Sequence, residues 1–529
     1  MHSRTTHKGA GATALRTEVE LLVRPGQQSL TPGDAEALLR ARTGVGSGRI
    51  GKNHVTSTAS LRAATRTASG TAFPALLVSI NQEGGRLNAL DWPEVDQLPG
   101  CMALGAAGDG TLAERAGAAI GGQLRAAGVT WNLAPVCDLA AWPSQSAVGT
   151  RAFGSDPEQV ARLVGAFVRG LQAAGVAATA KHFPGLGSVV ADPHLAAPVV
   201  DELPDGALLP FRAAVRAGAA CVMVGSQTVR SIEDWPALAS PKAITLLRED
   251  LGFAGVVVSE NLSIPAVHEP LGGLPHTAVA AVAAGVDLVM LDSEISRGRQ
   301  THGEQVAAVH CRSAVVQALV DAVESGLIGR RRVAEAAERV LALHRRFGIG
   351  PSTALPDWAE VNTVAGEIAN SIARESVSIV RGAQHLPLAL AQGTALAAVR
   401  VPDGGQRRAD SARHAPDLLP PLLSAGYPVI PLPTGGEVPD GVGAVVIYGY
   451  DTRTGTSRRS GAAAEAARLA HHHRVVQIAF GDVDDLAGSP ADVLVAAYSP
   501  HLASASAVAR VLSGHLRARG TVPVKGVRW

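Results

Sequence analysis

From about Val19 to Gly348, short apolar runs rich in β-branched residues alternate with longer runs whose apolar positions recur every three or four residues. The short runs are Val19–Val23, Ala75–Ile80, Thr130–Ala134, Ala177–Ala180, Ala220–Val224, Gly255–Ser259 and Val286–Met290. None shows the polar alternation of a half-solvated strand, and each gives way to a polar or glycine-rich loop. That is the pattern of strands buried on both faces of a parallel sheet. Helical periodicity fills the intervals at Leu112–Ala127, Pro157–Ala174, Leu208–Arg216, Pro241–Asp250 and His276–Ala284, and one long stretch, Val315–Phe347, follows the last strand. Strand and helix alternating in this way predict a parallel α/β core, and the number of units favours a closed barrel over an open sheet. An eighth strand is required, for which the stretch around Val45–Ile50 is the candidate.

Beyond Pro351 the pattern changes. A segment to about residue 390 carries one helical stretch, Val364–Glu375, and reads as a linker. Four further strands are then predicted at Ala395–Val401, Ala444–Tyr448, Val475–Phe480 and Val493–Ala497, separated by turns such as Pro431–Gly436 and the polar Thr452–Ser460. The division expected is a disordered tail over 1–17, a barrel over 18–350, the linker over 351–390 and a second α/β domain over 391–529. The length of 529 residues agrees with two domains, because a barrel absorbs about 250 residues or more by itself.

Composition narrows the function. Apolar residues at 47% and charged residues at 18% supply material for two buried cores. The net charge of +1 leaves no global basic footprint, so nucleic acid is not an expected partner. Cys101, Cys137, Cys221 and Cys311 are isolated, without CxxC or Cys/His ligand spacing, so neither a metal site nor a disulfide framework is expected. Neither a phosphate-cradling GK[ST] loop nor any other cofactor motif is found. The first residues lack the apolar core of a secretory signal and no apolar run is long enough to span a membrane, so a cytoplasmic protein is expected.

The strongest chemical signal is Lys181-His182-Phe183-Pro184-Gly185-Leu186-Gly187, followed by Asp192 and His194. It begins directly after a predicted strand, where a barrel places its active site. Asp192 and His194 are two apart, a spacing that puts both side chains on one face of an extended segment, where a carboxylate holds an imidazole in one tautomer. This stretch resembles the KHFPGxG…DxH signature of family 3 glycoside hydrolases, in the β-N-acetylglucosaminidase branch. Other motifs agree in order. Asn81-Gln82-Glu83-Gly84-Gly85-Arg86 resembles DQEGGR, Asn132–Asp138 resembles NxAPVxD, Gly149–Pro157 resembles GxRxFGxDP, and Gly255–Leu262 stands where the family has its nucleophile segment.

The resemblance implies a TIM-like (β/α)₈ barrel followed by a smaller C-terminal α/β/α sandwich, acting on a small N-acetylglucosamine-containing carbohydrate. It also implies a retaining double displacement, in which a carboxylate attacks the anomeric carbon and a second group protonates the leaving oxygen and then activates water. Carried onto this chain, the nucleophile is Glu260 and the acid/base pair is His194 with Asp192. Asn81, Arg86, Arg151, Lys181 and His182 are the substrate-binding residues.

Two positions depart from the family. Glu260 replaces an Asp, moving the carboxylate out by one methylene, about 1.5 Å; a misplacement of about 1 Å can cost on the order of 100-fold in rate. Asn81 also replaces an Asp, giving a neutral amide with one acceptor oxygen where a carboxylate would bind a diol more strongly. Three readings follow: an exo-β-N-acetylglucosaminidase acting on muropeptide fragments or chitooligosaccharides, in peptidoglycan recycling; a catalytically impaired sugar-binding or regulatory relative; and a phosphorylase using the same site.

Overall fold

The apolar runs become a curled, all-parallel sheet. The computed structural model describes residues 3–27, 47–50, 57–69, 75–140, 148–187, 197–291, 302–402, 416–450 and 461–526. Its first eight main strands are β1 (Val23–Gln27), β2 (Ser47–Ile50), β3 (Leu77–Ile80), β4 (Trp131–Asn132), β5 (Ala177–Phe183), β6 (Cys221–Val224), β7 (Val256–Asn261) and β8 (Leu288–Leu291). Each pairs in parallel with its neighbours in chain order, and β8 pairs back onto β1, so the sheet closes on itself. The stretch proposed for the eighth strand is β2, which lies between β1 and β3.

Period-two alternation sorts the side chains of these strands into two cores. Leu77, Trp131, Ala177, Cys221, Met223, Val258 and Met290 pack with one another and with Val340, Leu343 and Phe347 of the helix Arg330–Phe347. The intervening residues, among them Val78, Ile80, Ala178, Ala180, Val222 and Val257, join the larger cluster built by the surrounding helices. The first set fills the barrel interior. The end of helix Arg330–Phe347 closes its lower end, where Ile349 bridges to Leu76 just ahead of β3. Asp287, fully buried ahead of β8, ties this helix in place by pairing with Arg332 and Arg339, and it also pairs with Arg248 of the turn Leu246–Asp250.

Several boundaries differ from expectation. Residues 3–22 form a helix rather than a disordered tail leading to a strand at Val19–Val23. Leu15, Val19 and Leu22 recur at helical spacing and are buried, and the helix packs on the helices His302–Glu324 and Arg330–Phe347. The expected single helix Val315–Phe347 is two, because the chain turns at Gly326 with φ +82°, a conformation open to glycine.

After the helix Trp358–Ser376, six strands form a second sheet: β9 (Ser378–Arg381), β10 (Ala395–Arg400), β11 (Val429–Leu432), β12 (Val442–Gly449), β13 (Val475–Ala479) and β14 (Val493–Ala496). Their order is β9-β14-β13-β12-β10-β11, parallel except for β9 against β14. β9 lies in the stretch expected to be linker, and β11 occupies part of the expected turn Pro431–Gly436. Both are short edge strands whose sequences (Ser-Ile-Val-Arg and Val-Ile-Pro-Leu) carry little pattern; a proline is tolerated at such an edge. The expected loop Thr452–Ser460 lies outside the described residues.

Candidate active site

Inward-facing parity carries up the strands to the C-terminal mouth of the barrel. Ser79 leads to Asn81, Thr179 to Lys181 and Val258 to Glu260, so polar side chains replace apolar ones at the end of the same inward columns. The site is assembled there.

Glu83 stands at its centre, although the sequence reading quoted it only as part of a motif. Its carboxylate accepts from Arg151 through both oxygens, Nε at 2.7 Å and Nη2 at 2.8 Å. Lys181 Nζ is 2.6 Å from Glu83 Oε1 and donates to Asn81 Oδ1 at 3.0 Å. Burial by itself raises the pKa of the Glu83 carboxyl, but the Arg151 guanidinium and Lys181 ammonium outweigh it and hold the group well below the usual carboxylate range. Two cations on one carboxylate leave this cluster with one net positive charge, and Asn81, being an amide, does not neutralise it.

The backbone that presents these groups is itself pinned. Asn132, at the end of β4, accepts from Gln82 N–H at 3.0 Å and donates to Gln82 C=O at 2.8 Å, which fixes the peptide between Asn81 and Glu83. Gly84 and Gly85 turn the chain with φ of +83° and +61°, and a Cβ on Gly85 would lie 2.8 Å from Gly100 Cα, so the turn requires glycine. Asn88 Oδ1 accepts from Gly84 N–H and Gln82 Nε2 inside the same turn.

A second pair lies beside the first. His182 Nδ1–H donates to Asp138 Oδ2 at 2.8 Å, while Asp138 Oδ1 accepts from the backbone N–H of Leu186 at 2.7 Å and of His182 at 3.3 Å. Asp138 therefore sets the tautomer of His182 and leaves Nε2 for a ligand. Glu260, near the end of β7, is 7% exposed and its Oε2 accepts from Ser226 N–H at 2.9 Å. Its backbone is anchored by Ser259, whose hydroxyl donates to Glu260 C=O and accepts from Met290 N–H.

Of the residues expected from sequence, Asn81, Arg151 and Lys181 are joined through Glu83. Arg86 is 3% exposed and donates to Val148 C=O at 2.7 Å, beside the turn Gly149–Arg151, so it braces the start of the Arg151 turn. Asp192 and His194 lie outside the described residues. Sequence reasoning missed Glu83, Asp138 and Asn132, all of them polar residues inside the motifs it quoted. It also missed two residues from the second sheet: Asp482 Oδ1 accepts from Thr150 N–H at 3.1 Å, and His501 Nε2 is 2.7 Å from Gly85 C=O.

The motifs that build this mouth match the description "Glycosyl hydrolase family 3 N terminal domain" over residues 38–343. The chain belongs to glycosyl hydrolase family 3. It is 35% identical over 263 residues to a beta-hexosaminidase of Stenotrophomonas maltophilia (strain K279a), covering 48% of this chain and 76% of that one. A beta-N-acetylglucosaminidase/beta-glucosidase of Cellulomonas fimi is 30% identical over 407 residues, 72% of this chain and 68% of its own. Among solved structures, a family 3 beta-N-acetylglucosaminidase from Paenibacillus sp. str. FPU-7 superposes with a TM-score of 0.80 at 28% identity, over 97% of this chain and 99% of that one. Among the described residues of this family 3 chain, no group of His, Cys, Asp and Glu is arranged to hold a metal ion, and no helix is long and apolar enough to cross a membrane.

Proposed function

We propose that this family 3 protein is a retaining exo-β-N-acetylglucosaminidase whose nucleophile is Glu260. The observation that carries this reading is how the three carboxylates of the site are occupied. Glu83 is committed to Arg151 and Lys181, and Asp138 to His182 and two backbone N–H groups. Glu260 receives a single N–H on Oε2, and its Oε1 accepts from no described residue. A carboxylate held by one oxygen and open at the other is the arrangement that nucleophilic attack requires.

In the reaction, Glu260 Oε1 bonds to C1 of the sugar as the bond from C1 to the leaving oxygen breaks. A proton from His194 goes to that oxygen, and Asp192 orients the imidazole. Water then delivers its proton to His194 and its oxygen to C1, releasing Glu260. The roles of His194 and Asp192 rest on the sequence motif. Lys181, Arg151, His182 and Asn81 bind sugar hydroxyls and the N-acetyl group, with Glu83 fixing the two cations. We further read the barrel as the TIM-type catalytic domain, the six-stranded sheet with its helices as an α/β/α sandwich domain, and the substrates as muropeptide fragments or chitooligosaccharides.

Hydrolysis of an aryl β-N-acetylglucosaminide by wild type and by Glu260→Gln, with and without added phosphate, tests the reading. The expected result is turnover by wild type and a rate at least about 1000-fold lower in the variant, equivalent to about 4 kcal/mol of transition-state stabilisation. Silence of wild type together with turnover by Glu260→Asp would identify a disabled, sugar-binding relative, for which the changes at Glu260 and Asn81 are the motive. Turnover that depends on phosphate would identify a phosphorylase.

A further inference from the structure

The second sheet presents its carboxyl edge to the mouth of the barrel. Asp482 follows β13 and His501 follows β14; these two strands are parallel neighbours, paired at Val476 and Val493, so both residues emerge from the same edge. The carboxyl edge of a parallel sheet is where α/β proteins place functional groups. Here that edge lies against the two turns that carry the ionic cluster of the barrel.

We infer that Asp482 and His501 are positioning residues, which hold the Arg151 turn and the Glu83 turn in their working geometry and make the second domain part of the active site. This inference rests on the glycosidase reading for its effect on rate, and on geometry alone for its effect on structure.

Asp482 Oδ1 accepts the N–H of Thr150, the residue preceding Arg151, at 3.1 Å. Thr150 lies in a short 3₁₀ turn, Gly149–Arg151, whose amides lack the ladder of a longer helix, so a carboxylate at that N–H has much to fix. The same stretch is held farther along by the C-terminal segment. Ser155 N–H donates to Pro523 C=O at 2.9 Å, and a Cβ on Gly154 would lie 2.6 Å from that oxygen. On the other side, His501 Nε2–H donates to Gly85 C=O at 2.7 Å, and Asn88 Nδ2 donates to the same oxygen at 2.7 Å. Desolvation lowers the pKa of His501 to about 4, so at neutral pH the imidazole is an uncharged donor that adds no further charge beside the cationic cluster. Arg151 and Glu83 bond each other, so a shift of either turn breaks the same bidentate pair.

Hydrogen exchange on the full chain, read peptide by peptide, tests the structural part. Asp482→Ala is expected to speed exchange of amides 149–151 at least tenfold, and His501→Ala that of amides 84–88, with the strands β5 to β8 unchanged. Asp482→Asn and His501→Gln keep an acceptor and a donor at the same places and should restore protection. Lys525→Ala, which removes an exposed contact to Asp156 in the same interface, should leave both turns protected. On the aryl glycoside, Asp482→Ala should lower kcat/KM about tenfold and Asp482→Asn by less than threefold. The loss from Asp482→Ala should vanish in an Arg151→Ala background, as required of a residue acting through Arg151. Unchanged exchange at 149–151 and 84–88 in the alanine variants would overturn the inference, whether or not the protein hydrolyses anything. Should one alanine variant not fold, the other carries the same test on its own turn. Failure of the glycosidase reading would show separately, as absence of turnover in wild type.

Discussion

Replacing Glu83 by Gln keeps the shape of the side chain and removes the one charge that two buried cations share. The Lys181 and Arg151 nitrogens both bond Oε1, at 2.6 and 2.8 Å, so they stand at most about 5.4 Å apart. Two like unit charges at that distance repel by about 3 kcal/mol at an effective dielectric near 20. The Glu83, Lys181 and Arg151 side chains are 1%, 3% and 11% exposed, so water screens little of this. With the lost hydrogen bonds to charged partners, Glu83→Gln should destabilise the barrel by about 3–5 kcal/mol. Urea unfolding followed by far-UV circular dichroism measures it. Adding Lys181→Met removes the repulsion and should return about 2 kcal/mol. A single variant within about 1 kcal/mol of wild type, or a double variant no more stable than the single, would refute the charge argument. The sign with pH follows. Because the folded pKa of Glu83 lies well below the unfolded value of about 4.3, the stability it contributes is complete above that value. It is lost progressively as pH falls below that value toward the lower folded pKa.

Other outcomes follow from the same geometry. Glu260→Asp withdraws the carboxylate by about 1.5 Å, enough to break the 2.9 Å bond from Ser226 N–H; if Glu260 is positioned by that bond, kcat should fall about 100-fold with KM little changed. Asn81→Asp places a second carboxylate on Lys181 and restores a charged acceptor for sugar hydroxyls, so KM should fall several-fold to about tenfold; an unchanged KM would remove Asn81 from the binding site. Asp138→Asn sets an amide against the N–H donors of His182 and Leu186 and should cost about 100-fold in kcat/KM; a loss below threefold would show that the His182 tautomer is unimportant. His344, 1% exposed, has its pKa lowered to about 4 by desolvation, partly offset by its bond to Ala75 C=O. The unfolded chain therefore takes up the proton first, and stability should be full above about pH 6.5 and decline by about 3 kcal/mol as pH falls toward 4. His344→Gln should flatten that slope in urea titrations.

The barrel was legible because β3, β6 and β8 and the first halves of β5 and β7 are mostly apolar and buried on both faces, whereas β1 (Val-Arg-Pro-Gly-Gln) and β2 (Ser-Gly-Arg-Ile) carry little apolar pattern. The errors came where local pattern was ambiguous. Val19 and Leu22 read equally as part of a strand or as one stripe of a helix, and packing against two other helices decided for the helix. Ser378–Arg381 is an edge strand whose partner, Val493–Ala496, lies more than a hundred residues away, so no local signal marks it. Within the site, the motifs located Asn81, Lys181, His182 and Arg151, but not which polar residue bonds which. That Arg86 bonds Val148 C=O while Glu83 joins two cations depends on backbone paths set by Asn132 and by the glycines at 84 and 85. His501 and Asp482 sit in no motif; only the meeting of two sheets brings them to the barrel.

The packed interior beneath the site constrains traffic. Trp131, Met223 and Met290, with Phe347 below them, form a floor rather than a bore. A ligand that reaches Glu260 has come in through the mouth and must go out the same way. No chain can thread through the barrel past Glu260; it can only approach across the mouth. Access from one end only is thus written into the plug of the barrel, at the opposite end from its mouth.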